Sequence, residues 1–250
     1  MNAPASEPIR QPHASLNLAS RLAKGRKIER ILSLNRQQTP LKVLEVGTGA
    51  GGIAHYFGNH PDLACDVDAV DVQDNRQVTD GYRFAQVDGV ILPFDDETFD
   101  VVISNHVIEH VGDERAQATH LREIHRVLKA SGRAYLAVPN RWMLVEPHFG
   151  LVMLSWMPRW MADRYVRIAG KGSHYDCRPL TATKAESLLH GAGFDARQVH
   201  GEALRLTFEL ERPKAWLYRL VLKRIPDGGY RLLRRVFPTL IYALSKSQVR

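Results

Sequence analysis

The chain has 250 residues, 44% of them hydrophobic and 24% charged, with a formal net charge of +7, values ordinary for a soluble globular protein. No apolar run reaches the roughly 20 residues of a membrane span, and the start, with Pro4, Pro8 and Pro12, lacks the apolar core of a secretory signal. Two distant cysteines, Cys65 and Cys177, argue against a disulfide framework and for reduced thiols in a cytoplasmic protein.

Residues 1–14 are expected to be disordered. Leu16 to Asn35 reads as a helix, with Leu18, Leu22, Ile28, Ile31 and Leu32 on one side. Leu41, Val43, Leu44 and Val46 then form a short apolar run, as in a buried parallel strand. Gly47, Gly49 and Gly51 follow at alternate positions, with Glu45 two residues ahead. A strand, a glycine loop and a helix open a nucleotide-binding α/β unit, because glycine lets a ligand approach bare backbone. Gly47, Gly49 and Gly52 also satisfy the dinucleotide pattern G-x-G-x-x-G, so the loop alone leaves two cofactors open. A second strand, Val67 to Val72, ends in Val70-Asp71-Val72, where a carboxylate can accept both ribose hydroxyls of either cofactor.

Four further segments separate the two. Phe84 to Gly89 places Asp88 after a third strand. Leu92-Pro93-Phe94-Asp95-Asp96-Glu97-Thr98-Phe99-Asp100 leads into a fourth, which ends Asn105-His106-Val107-Ile108-Glu109-His110-Val111. Leu121 to Lys129 is a helix, and Gly132 to Pro139 a fifth strand. Taken in order, residues 41–140 resemble the class I S-adenosylmethionine-dependent methyltransferases. The resemblance implies a Rossmann-like sheet of seven mostly parallel strands with an antiparallel last strand, and a helical lid after strand five. It implies S-adenosylmethionine as cofactor, held by Glu45, Gly47, Thr48, Gly49, Gly51, Asp71, Val72, Asp88, Gly89 and Asn105. Asp88 would face the adenine amino group, and the backbone of Gly89 would touch the base. Singly, each residue also fits an ordinary role: Gly51 or Gly52 for close packing, Glu45 as a helix-start carboxylate, Asp71 and Asp88 as turn acids.

The expected organisation is a cofactor core over residues 15–139, a substrate lid over 140–180, and the rest of the core over 181–250. The lid holds Trp142, Trp156, Trp160 and four of the five Met. Its Glu146-Pro147-His148-Phe149-Gly150-Leu151 and Leu154-Ser155-Trp156-Met157-Pro158 resemble lids of bacterial methyltransferases acting on cell-surface glycans and lipids. Thr181 to His190 reads as a helix, with Thr183 and Glu186 at capping-box spacing. Phe194 to His200 reads as a sixth strand and Thr239 to Leu244 as the last. From Ala203 to Arg250 eleven Lys/Arg face three Asp/Glu, so the tail carries the positive charge. Within it, residues 213–238 form a basic helical insertion broken at Pro226-Asp227-Gly228-Gly229. Its Trp216, Tyr218, Tyr230 and Phe237 suit either a packed helix pair or peripheral contact with the inner membrane surface.

Methyl transfer to a hydroxyl benefits from a base, and His is the usual choice near neutral pH. His148, just past the fifth strand, is the first candidate, with His106 and His110 at the strand edge and His174 in the lid as others. His106-Val107-Ile108-Glu109-His110 also matches the H-x-x-E-H pattern of zinc enzymes, but the pattern places no third ligand, and no metal is expected. The expected acceptor is a small molecule or lipid-linked glycan. An NAD-dependent oxidoreductase leaves Asp88 and the Leu92–Asp100 link unexplained. A nucleic-acid methyltransferase is disfavoured because Ser104-Asn105-His106-Val107 lacks the N-P-P-Y-like tetrad of many base-amino enzymes. A non-catalytic scaffold is disfavoured by the intact acids and glycines.

Overall fold

The computed structural model describes residues 17–247, apart from 212–213, 216–217, 219–223, 226 and 233–236, so the expectation for residues 1–14 lies outside the described residues. Five parallel strands come first: β1 (Leu41–Val46), β2 (Cys65–Asp71), β3 (Arg83–Gln86), β4 (Phe99–Asn105) and β5 (Leu128–Pro139). A small hairpin, β6 (Val145–Glu146) and β7 (Leu151–Val152), stands apart, and β8 (Phe194–Gln198) and β9 (Thr239–Lys246) complete the main sheet. The sheet order is β3-β2-β1-β4-β5-β9-β8, with β9 antiparallel to both neighbours. This is the seven-stranded arrangement that the resemblance implied. The order reverses beside β1, so the crevice outside the ends of β1 and β4 is where an open α/β sheet binds its ligand.

Strand alternation divides the core in two. Val43, Val101, Ile103, Tyr135 and Ala137 face one side and pack with helices α1 (Leu18–Ile31) and α2 (Gly52–Gly58). Leu44, Val102, Ala134, Leu136 and Val138 face the other, against α3 (Glu114–Val127). Both faces are covered, which is why these strands read as continuous apolar runs. Helix α3 begins where Asp113 accepts a hydrogen bond from Ala116 N at 3.0 Å, and it buries Gln117, Leu121, Ile124 and Val127 at helical spacing. The Leu92–Asp100 link is a clamp on this helix: Arg126 donates to the carbonyls of Leu92 and Phe94, while Glu123 accepts from Leu92 N.

Residues 140–180 leave and rejoin the sheet at one point, a bridge between Asn140 and Leu180. The β6–β7 hairpin and α4 (Arg159–Ile168) surround a separate small core of Phe149, Leu151, Leu154, Ala162, Val166, Tyr175 and Cys177. Two local expectations need correction. Helix α5 (Ala182–Gly191) is capped by Thr181, which accepts from Lys184 N at 3.2 Å, and not by Thr183, because the chain turns at the Leu180 bridge. His200 is not in a strand; it opens α6 (His200–Glu211), which packs on α1 through Lys27 to Glu211 at 2.9 Å. A new helix, α7 (Asp227–Leu232), begins at Asp227; residues 219–223 and 226 before it lie outside the described residues.

Half of the basic insertion lies outside the described residues, Trp216, Arg234 and Arg235 included. The aromatics that are described there turn inward. Tyr218 stacks on Phe208 at 5.8 Å, Tyr230 is buried under Arg205, and Phe237 packs on His200. They belong to a packed layer and not to an exposed aromatic face. Among the described residues no helix is long and apolar enough to cross a membrane.

Candidate active site

The glycine loop is bound to the end of β2. Gly47 N and Thr48 N both donate to Val70 O, at 2.8 and 3.2 Å, and Gly49 N donates to Asp71 Oδ2 at 2.8 Å. Asp71 Oδ1 accepts from Val72 N at 2.7 Å. Asp71 therefore shapes the loop as well as standing at the strand end. Gly47 has φ +76, and a Cβ there would meet Val107 Cγ2 at 2.3 Å, so this turn requires glycine. Gly51 and Gly52 serve close approach: a Cβ would meet Val78 O at 2.4 Å and Arg21 Cβ at 2.5 Å, respectively. Gly52 is thus a packing glycine where α1 crosses α2.

Glu45 is only 2% exposed and faces inward, its Oε2 accepting from Thr48 Oγ1 and from Ala54 N, each at 2.8 Å. It joins strand, loop and helix start. Burial pushes its carboxyl from the ordinary 4.5 up to about 7, opposed in part by those two hydrogen bonds. The folded value lies above the unfolded one, so neutral Glu45 favours the fold below about pH 4.5, and this contribution is lost as pH rises to about 7. Urea unfolding across that window should show wild type losing up to about 3 kcal/mol relative to Glu45→Gln. Parallel stability curves for the two proteins would refute this.

Val87 N donates to Asp71 O at 2.9 Å and so brings the exposed Asp88 and Gly89 alongside Asp71. Nothing lies within 4 Å of the Cβ position of Gly89. At the end of β4, Asn105 is 8% exposed, and its Oδ1 is buried with no hydrogen-bond partner among the described residues. The predicted cofactor residues therefore share one crevice, Glu45 and Thr48 beneath its floor.

The predicted histidines converge too. His106 holds a left-handed backbone, φ +60, fixed by its N–H to Ala137 O at 2.9 Å. Its Nδ1 stands 3.3 Å from Glu109 Oε1. The rings of His106 and His110 lie 6.0 and 5.1 Å from that of His148. His148 is held by Glu146, whose Oε1 is 2.7 Å from Nδ1 and whose Oε2 accepts from His148 N and Phe149 N at 2.8 Å. Burial works to lower the His148 pKa, but Glu146, with Glu109 and Asp176, outweighs it and holds the ring above its ordinary value. His174 is paired with Ser173 at 2.9 Å.

Two members of this cluster were not read from the sequence as site residues. Glu146 is fully buried, and Cys177 Sγ lies 3.9 Å from His110 Nδ1 and 3.8 Å from His148 Nδ1. The returning segment is fastened there by Arg178 N to Glu109 O at 2.8 Å and by Gln117, which donates to Ile108 O and Arg178 O. Only adjacency of Glu146 to His148 was visible in sequence; Cys177 gave no signal.

Residues 44–136, which carry the loop, both acids and Asn105, match the family profile described as a methyltransferase domain. The uncharacterized methyltransferase YcgJ of Bacillus subtilis is 33% identical over 102 residues, 38% of this chain and 39% of that protein. The ubiquinone/menaquinone biosynthesis C-methyltransferase UbiE of Idiomarina loihiensis is 30% identical over 107 residues, 38% of this chain and 41% of that one. The match to these relatives spans less than half of their length. In three dimensions the chain is similar to phosphoethanolamine N-methyltransferase 2 of Haemonchus contortus, solved with S-adenosyl-L-methionine. The TM-score is 0.52 at 16% identity, over 89% of this chain and 52% of that one, a likeness of fold. The match ends within β5, so the 140–180 insertion with His148 and Cys177 lies beyond the matched residues.

Proposed function

We propose that this protein transfers the methyl group of S-adenosylmethionine to a hydroxyl of a lipid-linked glycan or a related small molecule. The observation that carries the reading is the crevice of the methyltransferase domain, where the glycine loop, Asp71 and Asn105 meet at the β1–β4 reversal. The residues fit the cofactor. The carboxylate of Asp71 suits the ribose hydroxyls, the open space at Gly89 suits the base, and the unpartnered Asn105 Oδ1 suits a cationic donor such as the ammonium. Bound there, the cofactor supplies a methyl already activated on a sulfonium, which leaves the protein to orient the acceptor and exclude water. His148, with His106 and His110 beside it, activates the acceptor hydroxyl. Residues 140–180 form the lid that holds the acceptor.

Calorimetric titration with S-adenosylmethionine, S-adenosylhomocysteine, NAD and NADP tests the cofactor. The first two should bind; heat from NAD with none from S-adenosylmethionine would sink the proposal.

The lid's outer face supports a lipid-linked acceptor. Of the eleven large apolar side chains well exposed among the described residues, nine lie between Trp142 and Ile168, with Trp160 68% and Ile168 74% exposed. Exposed Arg141, Arg159, Arg164 and Arg167 surround them. Apolar and aromatic groups beside cations suit the interface of an anionic bilayer, each cation adding about 1 kcal/mol that salt screens. Co-sedimentation with anionic vesicles should fall as salt rises and weaken in Trp160→Ser/Ile168→Ser. Absence of vesicle binding at low salt would favour a soluble acceptor.

A further inference from the structure

We propose that His110, His148 and Cys177, with Glu109, bind one divalent zinc ion at the foot of the lid. The proposal builds on the reading of His148 as the group that activates the acceptor, and specifies that it acts through a bound cation.

Three observations carry it. One ligand atom each from His110, His148 and Cys177 lie within 4.8 Å of one another, and the same holds for His106, Glu109 and His148. Tetrahedral zinc with bonds of about 2.0–2.3 Å sets nitrogen and sulfur ligands roughly 3.5 Å apart, so the Cys177 Sγ–His110 Nδ1 contact at 3.9 Å needs to close by only a few tenths of an ångström. Second, the cluster contains two buried carboxylates. Glu109 and Glu146 are both fully buried. Neither oxygen of Glu109 has a hydrogen-bond partner among the described residues, and His106 Nδ1 stands 3.3 Å from Oε1. A buried carboxylate in this state calls for a cation. Third, Glu146 on His148 Nδ1 reproduces the carboxylate–histidine pairing that orients metal-binding imidazoles, with Nε2 as the ligating nitrogen.

The donor set selects the ion. Two imidazoles, a thiolate and a carboxylate suit zinc better than magnesium or calcium, which prefer oxygen. Binding forms a Zn–S bond, and the Cys177 S–H proton leaves to solvent. Thiolate and Glu109 carboxylate together balance the two positive charges. The H-x-x-E-H pattern lacked a third ligand in sequence; the fold supplies two, His148 and Cys177.

The test uses the purified full chain. Elemental analysis should find about one zinc per chain, removable by a strong chelator and restored by zinc alone. Cobalt(II) in its place should give tetrahedral visible bands and a near-ultraviolet thiolate-to-cobalt band. Cys177→Ser should abolish the latter band, and Glu146→Gln should weaken zinc binding about 10–100-fold. Near-ultraviolet circular dichroism reports whether each variant is folded. Asp71→Ala should lose S-adenosylmethionine and keep zinc, which separates failure of this site from failure of the methyltransferase reading. A folded wild-type chain that takes up neither ion, or a cobalt spectrum unchanged in Cys177→Ser, would overturn the site.

Discussion

Changing His148 to alanine should lower the rate of methyl transfer by about 10²–10⁴-fold, the usual contribution of acid–base activation of an acceptor hydroxyl, which this cluster provides. Affinity for S-adenosylmethionine should be unchanged. The two quantities part because His148 stands on the β6–β7 turn, fixed by both oxygens of Glu146, while the cofactor crevice is built from the ends of β1, β2 and β4. The substitution removes an interaction made during reaction, so the turnover number and kcat/KM should fall together. Radiolabelled methyl transfer to a glycolipid extract measures the rate, and calorimetry measures the affinity. Glu146→Gln should lower the rate in the same direction, because it loosens the ring without deleting it. Wild-type turnover in His148→Ala would move acceptor activation away from this cluster.

Asp71→Ala is expected to act in the opposite way, on cofactor binding. Charge-assisted hydrogen bonds contribute about 1.5–3 kcal/mol, so affinity should fall roughly 10- to 150-fold. The side chain also fastens the loop through Gly49 N at 2.8 Å and its own strand end through Val72 N at 2.7 Å. The variant should therefore show faster amide exchange at Gly49 than wild type does. Asp71→Asn can still accept from Gly49 N and should restore the exchange protection without restoring full affinity. Full affinity in Asp71→Ala would mean that the ribose is held elsewhere.

The half of the molecule that was legible in sequence is the half whose strands are buried on both faces. Leu41 to Val46, Phe99 to Asn105 and Gly132 to Pro139 read as strands because both sheet faces are covered, so that Val43-Leu44, Val101-Val102-Ile103 and Ala134 to Val138 are buried without a break. Gly47 announced a turn because its positive φ and its contact with Val107 leave no room for a side chain. Helix α6 was missed because, over His200–Glu211, it buries only His200, Gly201 and Ala203, too few for an apolar period to stand out. The cap of α5 was misplaced by two residues because Thr181 and Thr183 are chemically equal. The bridge between Asn140 and Leu180 decides which of them meets the helix start.

By itself, the sequence determined the glycine loop, the acids at the ends of the second and third strands, and Asn105 at the end of the fourth. Each of these depends on neighbours within one strand–turn–helix unit, where residue type and spacing dictate backbone and hydrogen bonding. Only the tertiary structure decided that Glu45 points inward to Thr48 and Ala54, that Tyr218 and Tyr230 are buried, and that most of the exposed large apolar side chains lie in the 140–180 insertion. It alone brought His110 to His148 and Cys177, positions 29 to 67 residues apart that no spacing rule connects. Such a meeting is set by how the returning segment docks on the turn after β4, through Arg178 and Gln117, and packing of that kind leaves no periodic trace along the chain.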